Sequence, residues 1–330
     1  IIISVSYYLV FHLFYHNSDV GWHIQVAKLV TEGWKLYEDI IEFNFPIIYY
    51  SKIIPLIFAE SLGLSAVTVT DYFHFLLAVI SYLICYKIII SSQINLTQKA
   101  ILNITACLIT LILPSIFHRH QFGQKEFYFI VFYLPYFLML FLESKNEQTI
   151  KDKRFRFLIG LMAGIAICTK PFFAIIAFFI EIIRISFNRK ILTPEFLGIL
   201  VFGTIFSAIF LTYFDDYLHR MMPLSKYVYF FHMKFDWILL DRLISREFYT
   251  IILLFISALV MDQRRFSYLF ALFAGGFLIA LLQVQSMNAV KLPLYMAELL
   301  LLGYFASKIF TEENYKKIRF LIPLALIIIN

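Results

Sequence analysis

Apolar runs of membrane-crossing length recur along this 330-residue chain, and they restrict what it can fold into. The core of a bilayer offers the backbone no water. A segment that crosses it must therefore pair its own N–H and C=O groups, as a helix of about 20 residues does. Runs near 1–14, 66–86, 100–117, 127–142, 157–169, 171–187, 196–214, 248–261, 266–284, 293–309 and 320–330 meet or approach that length. Hydrophobic residues make up 61% of the chain and charged residues 15%, against roughly a quarter charged in a soluble domain. The expected fold class is all-α: a polytopic integral membrane protein with a single transmembrane domain over 1–330. The first and last runs reach the two ends of the sequence, so we expect both to be truncated spans.

The connectors between runs alternate in character. Those at 143–156 (Lys145, Lys151, Lys153, Arg154, Arg156), 184–190 (Arg184, Arg189, Lys190), 262–265 (Arg264, Arg265) and 308–319 (Lys308, Lys316, Lys317, Arg319) are short and basic. The positive-inside rule makes them cytoplasmic. Residues 15–65, 118–126, 215–247 and 285–292 then lie on the opposite face. Between two of the basic connectors stands "FLIGLMAGIAICTKPFFAIIAFFIEIIRI", which must cross twice. Pro171 removes a backbone donor and disfavours helix at Lys170, so two short spans are expected to meet there at a corner on the far face. The net charge of +6 is scattered between spans, which points to membrane lipids as partners and gives no sign of nucleic acid. Cys85, Cys107 and Cys168 lie within apolar runs without ligand spacing and read as small buried hydrophobes.

The unusual chemistry lies in the outer loops. His16–Ile40 reads "HNSDVGWHIQVAKLVTEGWKLYEDI" directly after the first span. Helical periodicity over Val20–Trp34 groups Trp22, Val26, Leu29, Val30 and Gly33 on one side. His23, Gln25, Lys28, Thr31, Glu32 and Lys35 take much of the other. That pattern fits an amphipathic helix in the interface, with Trp at headgroup depth. The segment 216–245 is similar, with Tyr217, Tyr227, Tyr229 and Trp237 among dispersed charges, and reads as a second, lid-like element over 215–247.

Three stretches carry a family likeness. The first is a span, then Asp19, Trp22, Gly33, Tyr37, Asp39, Pro46 and Tyr49-Tyr50. The second is "FGQKEFYFIVFYLPYFLML", and the third is "GIAICTKPFFAIIAFFIEI" around Lys170-Pro171. In this order they resemble segments of the GT-C glycosyltransferases, specifically bacterial relatives of the protein O-mannosyltransferases and the lipid A aminoarabinose transferases. Phe127 stands where those relatives carry a His after the acid. The resemblance implies a GT-C-like helical bundle in a bacterial inner membrane, with its active site in loop 15–65 on the extracytoplasmic face. It implies a polyprenyl-phosphate-sugar donor, a glycan, lipid or protein acceptor, and inversion at the anomeric carbon. The catalytic base it implies is Asp19.

The residues can also be weighed on their own chemistry. Inverting transfer needs a carboxylate to take a proton from the acceptor hydroxyl, and cations to hold the departing phosphate. Asp19 emerges from the first span at the membrane surface, where a lipid-linked donor can meet it; helix capping is its structural alternative. Asp39, Glu42 and Glu126 are the candidate second acids or acceptor contacts. In "HRHQFGQKE", the groups His118, Arg119, His120 and Lys125 suit a lipid phosphate by charge and donor count. Lys170, costly to place in hydrocarbon, needs an anionic partner or water, and a donor phosphate or snorkelling to the interface would each serve. His118 and His120 lack a third well-placed metal ligand. The sequence therefore requires no cofactor and leaves a divalent cation open. Asp215 and Asp216 read as an interfacial helix cap, or as part of a metal or acceptor site.

Other classes remain open at this level. An O-antigen polymerase or ligase would use Arg and His in a later outer loop, and His219, Arg220 and His232 fit that pattern. A transporter or flippase of lipid-linked sugars calls for ionisable pairs within the membrane and inverted repeats, and no repeat is evident. A catalytically silent membrane subunit is the third.

Overall fold

The computed structural model describes residues 18–117, 122–143, 149–188, 190–230, 250, 254, 261–282 and 287–309. The expected spans at 1–14 and 320–330 lie outside them, as does all of 248–261 apart from residues 250, 254 and 261. Secondary structure among the described residues is helical, with one isolated bridge between Leu36 and Ile40.

Two helices precede the bundle: α1 (Ser18–Thr31) and α2 (Pro46–Leu62). There follow α3 (Ala66–Ser91) and α4 (Leu96–Cys107), the latter running on through wider π-type turns over Leu108–Phe117. That widened stretch contains Pro114, which has no N–H for the helical ladder. Next come α5 (Lys125–Leu142), α6 (Lys153–Cys168), α7 (Phe173–Asn188) and α8 (Pro194–Tyr213). A π-type turn at Tyr217–Met221 leads into α9 (Met222–Phe230), and α10 (Gln263–Leu282) and α11 (Met287–Ile309) complete the set.

Among the described residues, five helical segments are long and apolar enough to cross a membrane: Ala66–Ser91, Leu96–Pro114, Lys125–Leu142, Pro194–Tyr213 and Gln263–Leu282. Each coincides with an expected span. The chain is a membrane protein, helical throughout its described core. The expected corner is present too, because α6 and α7, of 16 residues each, meet at Lys170-Pro171. The Phe173 N–H donates to the Lys170 carbonyl at 2.9 Å, closing that turn.

Helix α2 was not foreseen within loop 15–65. Its limits follow local rules: Pro46 occupies the first turn, where a missing N–H costs nothing. Gly63 ends it in the left-handed conformation (φ 64°), its N–H turned back to the Ala59 and Glu60 carbonyls. Tyr50, Ile54, Ile57, Phe58 and Leu62 are exposed on its outer side, whereas Ile48, Tyr49, Lys52 and Leu56 are buried.

The central element is α5. Its residues from Glu126 to Leu142 are almost all buried, including Phe129, Tyr133, Phe137 and Phe141. A helix apolar on every side belongs inside a bundle, and α5 is packed by α3, α6, α10 and α11. Helices α6 and α8 approach closely through small residues. A Cβ on Gly160 would stand 1.9 Å from the Glu195 carbonyl oxygen, and one on Gly198 would stand 2.4 Å from that of Phe157. Small residues let helix backbones meet where lipid supplies no hydrophobic drive.

The bundle has two chemically distinct ends. At one, Arg156 is ion-paired with Glu143 and, at 2.6 Å, with Glu195, all buried. Arg184 pairs with Glu181 at 2.6 Å and donates to the Lys190 and Ile191 carbonyls. Arg265 donates to the Tyr304 hydroxyl at 2.7 Å. Lys308 Nζ stands 5.7 Å from the centroid of the same Tyr304 ring, so described residues of all four basic connectors gather at this end. The opposite end carries α1, α2, the 122–126 turn, the Lys170 corner and the C-terminal part of α8.

Candidate functional site

Asp19 lies in the first turn of α1 and is exposed. One residue of this helix departs from its expected side. His23 is buried with Val20, Ile24, Val26 and Ala27, whereas Trp22 is exposed. The inward stripe includes an imidazole because His23 packs edge-on against Tyr49, with ring centroids 5.3 Å apart. Burial lowers the His23 pKa to about 3, and the charges of Lys52 and Lys125 push the same way. Trp22 instead turns its indole N–H to Glu42, at 2.5 Å.

The loop after α1 is fastened by its own polar groups. Tyr37 adopts a positive φ of 73°, unusual for a residue with a side chain. Its ring is fully buried against Phe214 and Tyr217, and its hydroxyl donates to the Asn44 carbonyl. Asp39 accepts the Lys35 backbone N–H at 2.9 Å on an exposed turn. Glu42 gathers donors. It accepts from Trp22, from the Tyr49 hydroxyl, from the Phe43 backbone N–H at 3.0 Å and from the Asn44 amide at 3.4 Å. Burial, and then the Glu42 carboxylate, hold the Tyr49 phenol well above its ordinary range, so it acts as a donor.

The turn 122–126 reaches all of this from across the sequence. The Gln124 amide donates to Asp19 Oδ2 at 2.9 Å, bridging 105 positions. Lys125 Nζ donates to Asn44 Oδ1 at 2.6 Å. Lys170 Nζ lies 3.0 Å from Glu126 Oε1 in a buried ion pair. Gln124, Lys125 and Glu126 therefore bind, in turn, α1, the loop before α2 and the Lys170 corner. The three stretches quoted from the sequence converge at one end of the bundle.

Lys170 and Glu126 meet each other. The anionic partner of Lys170 is this internal carboxylate, and Glu126, fully buried, is held by Lys170. Burial pulls the Lys170 pKa down while Glu126 opposes the shift. Glu126 Oε2 is buried without a hydrogen-bond partner among the described residues. Phe127 is buried too, its ring 5.5 Å from the His74 ring.

Sequence reasoning missed Lys52, His74 and Tyr128. Lys52 Nζ is 2.7 Å from His74 Nε2, 2.8 Å from the Gly123 carbonyl oxygen and 3.1 Å from the Tyr128 hydroxyl. The Tyr128 hydroxyl also stands 3.0 Å from Ser51 Oγ. A signal did exist, since a lone Lys in the apolar run "PIIYYSKIIPLIF" must find partners or water.

The described start of the second outer segment rests on this loop. The Tyr217 hydroxyl donates to the Phe43 carbonyl at 3.2 Å, and its ring stacks on Phe45 at 5.3 Å. Asp215 and Asp216 pair with His219 at 3.2 Å and Arg220 at 3.4 Å within their own helical turn. His118, Arg119, His120 and His232 lie outside the described residues. Among those described, no group of three or more His, Cys, Asp or Glu side chains is arranged to hold a metal ion.

Comparison with models of known protein families, with curated proteins and with solved structures yields no match.

Proposed function

We propose that the chain is a GT-C-type membrane glycosyltransferase that moves a sugar from a polyprenyl-phosphate-linked donor to a glycan, lipid or protein acceptor. One observation carries the reading: Asp19 is held by Gln124, and the next residue on the turn of Gln124 is the cation Lys125, bonded to Asn44. A carboxylate and a cation at one helical end are the minimal pair for inverting transfer. Asp19 takes the proton of the acceptor hydroxyl as that oxygen attacks the anomeric carbon. The bond from that carbon to the phosphate oxygen breaks, and Lys125 offsets the charge gathering on the phosphate. Glu42, Asn44 and Tyr49 position the loop, and Trp22 gives it an aromatic surface toward lipid.

The orientation belongs to the same proposal. The end rich in Arg faces the cytoplasm, and Asp19 faces the extracytoplasmic side of a bacterial inner membrane. The clustering of polar groups at one end favours a surface reaction over a transport path through the middle.

The test uses purified full-length protein in lipid with a panel of polyprenyl-phosphate sugars and candidate acceptors. Release of polyprenyl phosphate with a sugar of inverted configuration on the acceptor is the expected result. Donor binding without transfer to any acceptor class would count against it.

A further inference from the structure

Lys52 is fully buried, and the transfer reaction gives it no task. An ammonium removed from water costs several kcal/mol unless well paired, yet none of its three hydrogen-bond partners among the described residues is a carboxylate. Burial draws its pKa well down, and the charge of Asp71 opposes that shift. The Lys52 nitrogen donates to the Gly123 carbonyl and to the Tyr128 hydroxyl on α5, and is hydrogen-bonded to His74 Nε2 on α3, so three places in the chain meet at it. The amine also lies 4.8 Å from the centroid of the Tyr128 ring.

Gly123 is the pivot of this arrangement. Its φ is +77°, and a Cβ there would come within 2.5 Å of His74 Cε1. The residue is thus held on two sides, by Lys52 at its carbonyl and by the His74 ring against its α-carbon. The next residue along the chain is Gln124, whose amide holds Asp19.

We propose that Lys52 is a positioning residue: it fixes the Gly123 carbonyl against His74 and Tyr128, and so sets the turn from which Gln124 reaches Asp19. The purpose of that placement rests on the glycosyltransferase reading; the placement itself can be measured without turnover. In Lys52→Met the methionine fills similar space but leaves the Gly123 carbonyl without its donor. The turn can then move, and a displacement of about 1 Å at a reacting group can cost roughly 100-fold in rate. Lys52 contacts no substrate in this scheme, so donor KM stays within about threefold while kcat falls.

The experiment has two arms, both on full-length protein in lipid. In the first, Asp19→Cys and Gln124→Cys are combined, with Cys85, Cys107 and Cys168 replaced by Ala, and the rate of oxidative cross-linking is followed with and without Lys52→Met. Cross-linking slowed at least tenfold is expected; an unchanged rate overturns the proposal. In the second, kcat and KM are compared for wild type and Lys52→Met on an otherwise native chain. A fall in kcat with KM retained supports the proposal, and an unchanged kcat per folded molecule overturns it. If Lys52→Met fails to fold, Tyr128→Phe removes one of the three partners and goes through the same cross-linking measurement. A smaller slowing is then expected, and no slowing overturns the proposal. A wild type without turnover whose cross-linking still depends on Lys52 would remove the transferase reading and leave the positioning role standing.

Discussion

Gln124 donates its side-chain amide to the Asp19 carboxylate at 2.9 Å, joining the first turn of α1 to the turn before α5. These are the first and second of the stretches singled out in the sequence, and the third joins them through Lys170 and Glu126. A hydrogen bond to a charged group contributes about 1.5–3 kcal/mol. Gln124→Ala is therefore expected to lower kcat roughly 10- to 100-fold with little change in donor KM. Steady-state kinetics check this, and an unchanged kcat would separate Gln124 from the reaction.

Lys125→Met is expected to act on the other parameter. Its ammonium is carried by the residue after Gln124, the partner of Asp19, and charge-assisted bonds to phosphate exceed neutral ones in strength. Donor KM should rise roughly tenfold or more while the protein remains folded, since the Asn44 contact is only part-buried. Titration with a polyprenyl phosphate lacking the sugar isolates this contribution.

The Glu126–Lys170 pair should behave as a buried ion pair does. Removing one partner leaves the other charged and unmatched, at a cost of about 3–5 kcal/mol. Glu126→Leu and Lys170→Met alone should each lower the thermal midpoint strongly. The double replacement should recover most of the loss. Thermal unfolding of the four proteins in one detergent makes the comparison, and additive losses would exclude the pairing.

His23 gives a pH dependence with a defined sign. Unfolded, it takes up a proton near its ordinary pKa of 6.5; folded, it stays neutral down to about 3. Between these values the unfolded chain binds more protons, so stability rises with pH. The contribution is complete above 6.5 and is lost on acidification toward 3, at about 1.4 kcal/mol per pH unit. The difference in stability between wild type and His23→Gln should therefore shift across that window and be flat above pH 7. Denaturant unfolding at stepped pH measures it.

Most of the bundle was legible because lipid leaves few ways to satisfy a backbone. The spans at 66–86, 100–117, 127–142, 196–214 and 266–284, and the Lys170-Pro171 corner, follow from run length and from proline chemistry. Helix α2 was not legible, because its apolar run is broken by Tyr50, Ser51, Lys52 and Pro55 and is shorter than a span. The burial of His23 was not legible for a related reason. Periodicity groups His23 with the polar side of α1, yet Tyr49 receives the imidazole. Partners far apart in sequence were hidden as well. Nothing near Lys170 names Glu126, and nothing near Lys52 names Gly123, because those pairings depend on how helices pack.

The most direct measurement compares wild type with Asp19→Asn in lipid, with polyprenyl-phosphate sugars and acceptor supplied together. Asparagine keeps an oxygen to accept the Gln124 amide, so the variant should fold and bind donor as the wild type does. It cannot take the acceptor proton, and general-base catalysis is worth roughly 100- to 10,000-fold. Turnover by the wild type and its loss to that extent in Asp19→Asn, with donor affinity retained, is the expected result. Equal turnover by the two proteins would contradict the assignment of Asp19 as the base.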